Sequence, residues 1–157
     1  MKSIKIFFAI AISISSFVAY AQDCTDYHVN NCRWADESFF FSRQSRSALF
    51  TQGMSSEFSI TVYGDEEYYI SVQGDKKLGK IKIRVKEDNP KKIVLYDNSN
   101  YKFENYLYFK NENTRNLIIE ITSDAEKKFS SSAERFCLGV LIEFRTFDTK
   151  NTKTGFE

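Results

Sequence analysis

The sequence predicts an all-β domain, an antiparallel, jelly-roll-like β-sandwich of about seven or eight strands. Two observations predict it. From Glu57 onward apolar and polar side chains alternate with a period of two, which puts one face of each strand in a core and the other in water. The connections between the alternating runs are short and rich in turn formers, and the only proline, Pro90, falls in one of them. Two half-apolar sheets must cover each other, so a sandwich follows directly, with a closed barrel as the alternative.

Composition narrows the function classes. The chain has 157 residues, 42% hydrophobic, 16% aromatic and 27% charged, which suits one globular domain. Its 22 basic and 21 acidic residues leave a net charge of +1 and no electrostatic footprint for DNA or RNA. One histidine and three cysteines are too few for a conventional zinc site or a well-supplied catalytic centre. No metal, cofactor or catalytic residue is expected.

The first element is a leader. Lys2 and Lys5 precede the apolar run Ile6 to Val18, and Ala19-Tyr20-Ala21 supplies the small residues that signal peptidase accepts. Residues 1–21 therefore read as a signal peptide, 22–145 as a single domain and 146–157 as a flexible polar tail. The leader's apolar run is shorter than the ~20 residues a helix needs to cross a bilayer. No later segment is apolar enough to span. Asp23 stands before Cys24 where a lipoprotein signal needs a small residue, which argues against lipid attachment.

Export permits disulfides. Cys24, Cys32 and Cys137 allow three pairings, and the closeness of Cys24 and Cys32 in a polar, aperiodic segment favours that pair as the bridge. Cys137 then remains a small buried hydrophobe in a strand. The chemical alternative is a nucleophilic Cys137 with His28 as its base, which needs an activated thiolate and finds only Arg135 as a nearby cation in sequence.

The strands come next. Phe58, Ile60 and Val62 share a face in Glu57 to Tyr63, and Tyr68, Ile70 and Val72 repeat the pattern after Gly64-Asp65-Glu66-Glu67, which reads as a hairpin connection. In Lys80 to Lys86, Ile81, Ile83 and Val85 alternate with Lys80, Lys82, Arg84 and Lys86. Further strands are expected at Lys92 to Tyr96, Glu104 to Lys110, Asn116 to Thr122 and Phe136 to Arg145. The last is apolar on both faces and reads as a central, doubly covered strand. Ser123 to Glu134 reads as a weak helix or an exposed loop.

Several segments carry a resemblance: Cys24 and Cys32, Gln44 to Ala48, Phe58 to Tyr63, Tyr68 to Ile70, Leu78 to Ile81, Leu95 to Asn98, Thr114 to Glu120 and Cys137 to Glu143. Through them the chain resembles a family of small uncharacterised secreted or periplasmic proteins of Gram-negative bacteria. The likeness spans roughly Gln22 to Glu143. It implies a conserved-size exported domain, in the periplasm or at the cell surface, and no catalytic activity. In that family a cysteine often stands where this chain has Gln73. If it pairs with the counterpart of Cys137, the resemblance implies that this chain has lost the bridge, again favouring Cys24 with Cys32. More loosely, the strand pattern is similar to pre-peptidase C-terminal-type β-sandwich domains.

Three groups of residues are candidates for function. Tyr63, Tyr69, Tyr96, Tyr106 and Tyr108 alternate away from the expected core and form a candidate ligand-binding face, with Trp34 in the early segment. Against this, the segment Arg33 to Phe50, with Phe39-Phe40-Phe41, must itself pack somewhere and can cover them, or the tyrosines can serve as cross-strand pairs. Acidic turns at Asp65-Glu66-Glu67 and at Asp97, Asn98 and Asn100 offer oxygens of the kind calcium takes, without an EF-hand spacing. The basic face of Lys80 to Lys86 suits an anionic surface, or guards an edge strand against aggregation. The expectation is a non-catalytic exported module that binds or supports an envelope glycan or protein partner. A glycan-binding module using the tyrosines is the alternative, and an unrecognised hydrolase comes third.

Overall fold

The computed structural model describes residues 23–124, 134–147 and 155–156. The expected leader, the segment 125–133 and most of the tail lie outside the described residues. Among the described residues one short α-helix, α1 (Tyr27–Asn31), precedes the strands β1 (Phe40–Phe41), β2 (Arg46–Phe50), β3 (Ser55–Val62), β4 (Glu66–Gly74), β5 (Ile81–Glu87), β6 (Val94–Asp97), β7 (Tyr106–Asn111), β8 (Arg115–Ser123), β9 (Phe136–Thr146) and β10 (Gly155–Phe156). They form two antiparallel sheets. In the six-stranded sheet β9 pairs with both β1 and β2 on one side and with β4 on the other, and β7 and β10 follow. The four-stranded sheet runs β3-β8-β5-β6. The fold is a β-sandwich, not a barrel, because β3 and β6 are edges of an open sheet.

The alternation builds the core as expected. Tyr68, Ile70 and Val72 of β4, Leu138, Val140 and Ile142 of β9, and Leu107 and Phe109 of β7 point inward from one sheet. They meet Ile60 and Val62 of β3, Leu117, Ile119 and Ile121 of β8, and Ile83 and Val85 of β5. Burying each such side chain contributes about 1.5–3 kcal/mol. From Phe136 to Glu143 every residue of β9 is buried, the doubly covered strand its sequence predicts.

Four local expectations are corrected. Gly64 to Glu67 does not close a hairpin: β3 and β4 lie in different sheets, and Asp65, at φ 58°, helps turn the chain from one layer to the other. A turn signal reports a reversal, not which sheet receives the next strand. The basic strand β5 is not an edge, since β8 and β6 flank it. Tyr96 lies in the core at 4% exposure because it stands directly opposite Val85, a core residue, and residues paired across two strands share a face; the register shift between Val85 and Lys86 follows it. In the tail, β10 pairs with β7, and Phe156 stacks on Phe109 at 4.7 Å between centroids.

The fourth correction concerns the disulfide. Cys24 is bonded to Cys137, not to Cys32, with Cα atoms 5.4 Å apart. The turn of α1 stands between Cys24 and Cys32, so nearness in sequence is not nearness of side chains. Cys32 is buried and free. Burial pushes its thiol up to about 11, while hydrogen bonds from Gln73, Leu141 and Ser71 oppose the shift.

Candidate functional site

Residues 23–39 form a strap across the outer face of the six-stranded sheet. The Cys24–Cys137 bridge ties one end to β9. Next, α1 crosses β9 at Gly139, where a Cβ atom would stand 2.6 Å from the His28 Cα, so only glycine permits the approach. The Ser71 hydroxyl donates to the Arg33 carbonyl at 2.7 Å, and the Ala35 N–H donates to Glu143 Oε2 at 2.8 Å. Phe39 then sets its ring edge-on to Tyr69 and Tyr108, at 6.3 and 6.0 Å.

Beneath the strap the structure gathers three of the five tyrosines. Tyr69 and Tyr108 lie 4.8 Å apart, and Tyr106 lies 5.8 Å from Tyr69. They point away from the core, as their alternation requires, but outward here means under another layer. Tyr69 is 1% exposed, and its hydroxyl has no hydrogen-bond partner among the described residues. Tyr106 carries the Arg33 guanidinium over its ring at 4.7 Å, and Arg145 covers Phe39 at 4.4 Å. Tyr63 stands apart at the end of β3, 55% exposed, and Tyr96 is inside the sandwich. The five do not form one open platform.

The strap and the strand β1 that follows it instead offer aromatics to solvent. Trp34 is 46% exposed and Phe41 42%, with ring centroids 6.1 Å apart. The Trp34 indole N–H donates to the Val29 carbonyl at 3.1 Å, which fixes the ring, and Val29 is itself partly exposed. On the other side of Phe41 the ring of His28 lies 6.1 Å away. Phe40, the most exposed large apolar residue described, turns to the other face of the sheet edge, with its ring 6.2 Å from that of Phe144. The run Phe39-Phe40-Phe41 signalled this surface in the sequence. What it did not reveal is that Phe39 turns inward while the next two stay out.

No protein-family model matches the chain, and no curated protein matches it. Among solved structures it is similar to Aeromonas hydrophila PliG, a periplasmic lysozyme inhibitor of g-type lysozyme, with 8% sequence identity and a TM-score of 0.46. The match covers 72% of this chain and 92% of that one. Likeness at this level does not carry function from one protein to the other.

The groups suited to chemistry are otherwise engaged. Cys137, in its disulfide, has no thiolate to offer. His28 Nδ1 lies 2.7 Å from the Ser47 hydroxyl, which also accepts from the His28 backbone N–H, and burial lowers the imidazole's pKa. Burial raises the pKa of Glu143 from its ordinary value, but the strap backbone roofs its carboxylate. The acidic turns are also occupied. Glu66 accepts from the Tyr68 hydroxyl, Glu67 binds Arg145 at 2.7 Å, and Asp97 accepts from Ser99 and pairs with Lys82 at 3.2 Å. Among the described residues no three His, Cys, Asp or Glu side chains are grouped to hold a metal, and no helix is long and apolar enough to cross a membrane.

On the opposite outer face, charge answers charge. Glu57 and Glu120 oppose each other across β3 and β8, and Lys86 bridges them, 2.7 Å from Glu57. Arg84 reaches Glu120 at 2.5 Å and Lys92 reaches Glu57 at 3.0 Å. Hydrogen bonds from Lys86 and Lys92 hold the Glu57 carboxyl down at about 2. Of the basic face read from the sequence, Lys82, Arg84 and Lys86 are neutralised locally.

Proposed function

We propose that the chain is an exported, non-catalytic binding module of the cell envelope, and that its contact surface is the ledge of Val29, Trp34 and Phe41. Export is supported by the leader pattern and by a disulfide that an oxidising compartment favours. The non-catalytic reading is supported by the engagement of Cys137, His28 and Glu143. The observation that carries the contact surface is the exposure of Trp34, on a strap pinned by a covalent bond, and of Phe41 beside it on β1. Exposed aromatics held rigid bind at low entropic cost, and interfaces concentrate their energy in such residues. Trp34 and Phe41 are tilted by 34° and flanked by Val29, which suits an apolar protein surface better than the flat face of a sugar ring.

Trp34 is the only tryptophan, so its emission reports this surface alone. Titration with fractionated envelope proteins is expected to shift that emission to the blue, and Phe41→Ala is expected to weaken the response about tenfold. A response to a carbohydrate panel would return the glycan reading. Unchanged emission in both series, with binding seen elsewhere on the protein, would overturn the ledge.

A further inference from the structure

At the end of the sandwich where β4 leaves the sheet, the connection 75–80 faces the connection 98–105. Between them lies a cleft of about 350 Å³ lined by residues that include Gln73, Lys76, Lys80, Phe103 and Asn105. Its volume is in the range of small-ligand sites, roughly 300–1,000 Å³.

Two features of this cleft do nothing for the fold. The first is its charge. Among the described residues no carboxylate lies within ion-pairing distance of Lys76 or Lys80, whereas Lys82, Arg84, Lys86 and Lys92 all have one. Asp75 also lines the cleft, with its carboxylate accepting from the Lys77 N–H at 2.9 Å. The second is Phe103. It follows Lys102, and the two sit at φ 60° and 56°, a pair of left-handed residues with neither a glycine. Asn98, fully buried, maintains the bend. Its carbonyl accepts from the Phe103 N–H at 2.9 Å, and its side-chain amide donates to Glu104 and Ile81 at 2.9 and 3.0 Å. This machinery leaves the Phe103 ring 39% exposed, with Lys80 Nζ 5.5 Å from its centre. Strain that places an aromatic ring in solvent beside two cations that no carboxylate neutralises points to use. Along the wall Asn105 Nδ2 donates to Gln73 Oε1 at 3.1 Å, and the Asn105 backbone carbonyl accepts from the Val72 N–H at 2.8 Å, which leaves the side-chain oxygen Oδ1 for a hydroxyl.

We infer that this cleft binds a pyranose bearing an anionic substituent. The C–H face of the sugar stacks on Phe103, the anion sits between Lys76 and Lys80, and Asn105 takes a ring hydroxyl. Ammonium groups are point charges without the bidentate geometry of arginine, so carboxylate and phosphate are equally acceptable to them. The cleft is separate from the aromatic ledge and stands whether or not the ledge binds a partner.

The test is a nitrogen-15 amide titration of the whole chain with glucuronate, glucose 6-phosphate and neutral glucose at fixed ionic strength. Shifts are expected to cluster at Gln73, Lys76, Lys80, Phe103 and Asn105, with at least one acidic sugar bound about fivefold or more tighter than glucose. A response to glucuronate alone, to the phosphate alone or to both supports the proposal and identifies the anion. Lys76→Gln combined with Lys80→Gln is expected to abolish the preference while the rest of the spectrum stays unchanged, and Phe103→Ala to weaken all three sugars. Equal response to glucose, shifts scattered over other lysines, or no shift at tens of millimolar sugar would overturn it. Trp34 emission, read separately, reports the fate of the ledge.

Discussion

On the four-stranded sheet the outward side chains are mostly charged or hydroxylated, and Glu57, Arg84, Lys86 and Glu120 lie in one ion network at the surface. On the six-stranded sheet the outward positions hold Tyr69, Ser71, Tyr106, Tyr108, Leu141 and Glu143, and residues 23–39 lie over them. Both faces arise from the same period-two pattern. Alternation therefore says which side of a strand a residue occupies, and the composition of that side says whether water or protein meets it. A face of tyrosine, leucine and one carboxylate is a second interior.

Removing the strap's covalent tie should distinguish the faces most sharply. Cys24→Ser is expected to lower unfolding free energy in urea by about 2–5 kcal/mol, because the bridge closes a loop with a sequence separation of 113. Hydrogen exchange should quicken in residues 23–39 and on the outer positions of β4 and β7, and leave β5 and β8 protected. Equal quickening in both sheets would mean that the strap supports the whole sandwich. In the unaltered protein, a non-reduced digest should contain Cys24 joined to Cys137, and Cys32 should resist alkylation until the chain unfolds.

Gly139→Ala should act on the same face through backbone contact rather than through a bond. The new methyl group would collide with His28, and a cost of about 1–3 kcal/mol is expected, with retained four-stranded-sheet protection. A neutral result would show that α1 can lift from β9 freely.

Acid separates the two faces by sign. Glu57 has a folded pKa near 2, below its ordinary 4.5, so its contribution is present above the ordinary value and is lost as pH falls toward 2. Glu143 is raised, so its carboxyl favours the folded state below the ordinary range, and that contribution is lost as pH rises through it. Denaturation midpoints between pH 2 and 6 should therefore lose part of their acid fall in Glu57→Gln and steepen in Glu143→Gln. Identical profiles would mean that neither environment survives in solution.

The smallest effect is expected at Tyr69. Its hydroxyl is buried without a partner, so Tyr69→Phe should change stability by no more than about 0.5 kcal/mol or raise it slightly. At the next residue, the Tyr68 hydroxyl donates to Glu66 and accepts from the Tyr63 N–H at 2.8 Å, and Tyr68→Phe should cost about 1–3 kcal/mol. Loss of stability at Tyr69 would reveal a bound water beneath the strap.

The long strands were legible because Ile81, Ile83 and Val85, or Leu138, Val140 and Ile142, repeat often enough to fix their phase. Tyr96 was not legible, since a four-residue strand beside a bulge cannot fix its own register. β1 and β2 escaped notice because both have largely exposed side chains and pair only along β9. The tyrosine trio could be read as outward, whereas its cover depends on how residues far away in sequence fold back. The cleft at Phe103 left no sequence signal, because neither Lys102 nor Phe103 announces a left-handed backbone.

The bridge between Cys24 and Cys137 also constrains the order of events when the chain is made. A polypeptide that emerges amino terminus first presents Cys24 with Cys32 long before β9 exists. The first partner available is thus the wrong one, and oxidation must either wait for the carboxy-terminal strands or be followed by thiol exchange that returns Cys32 to its burial site.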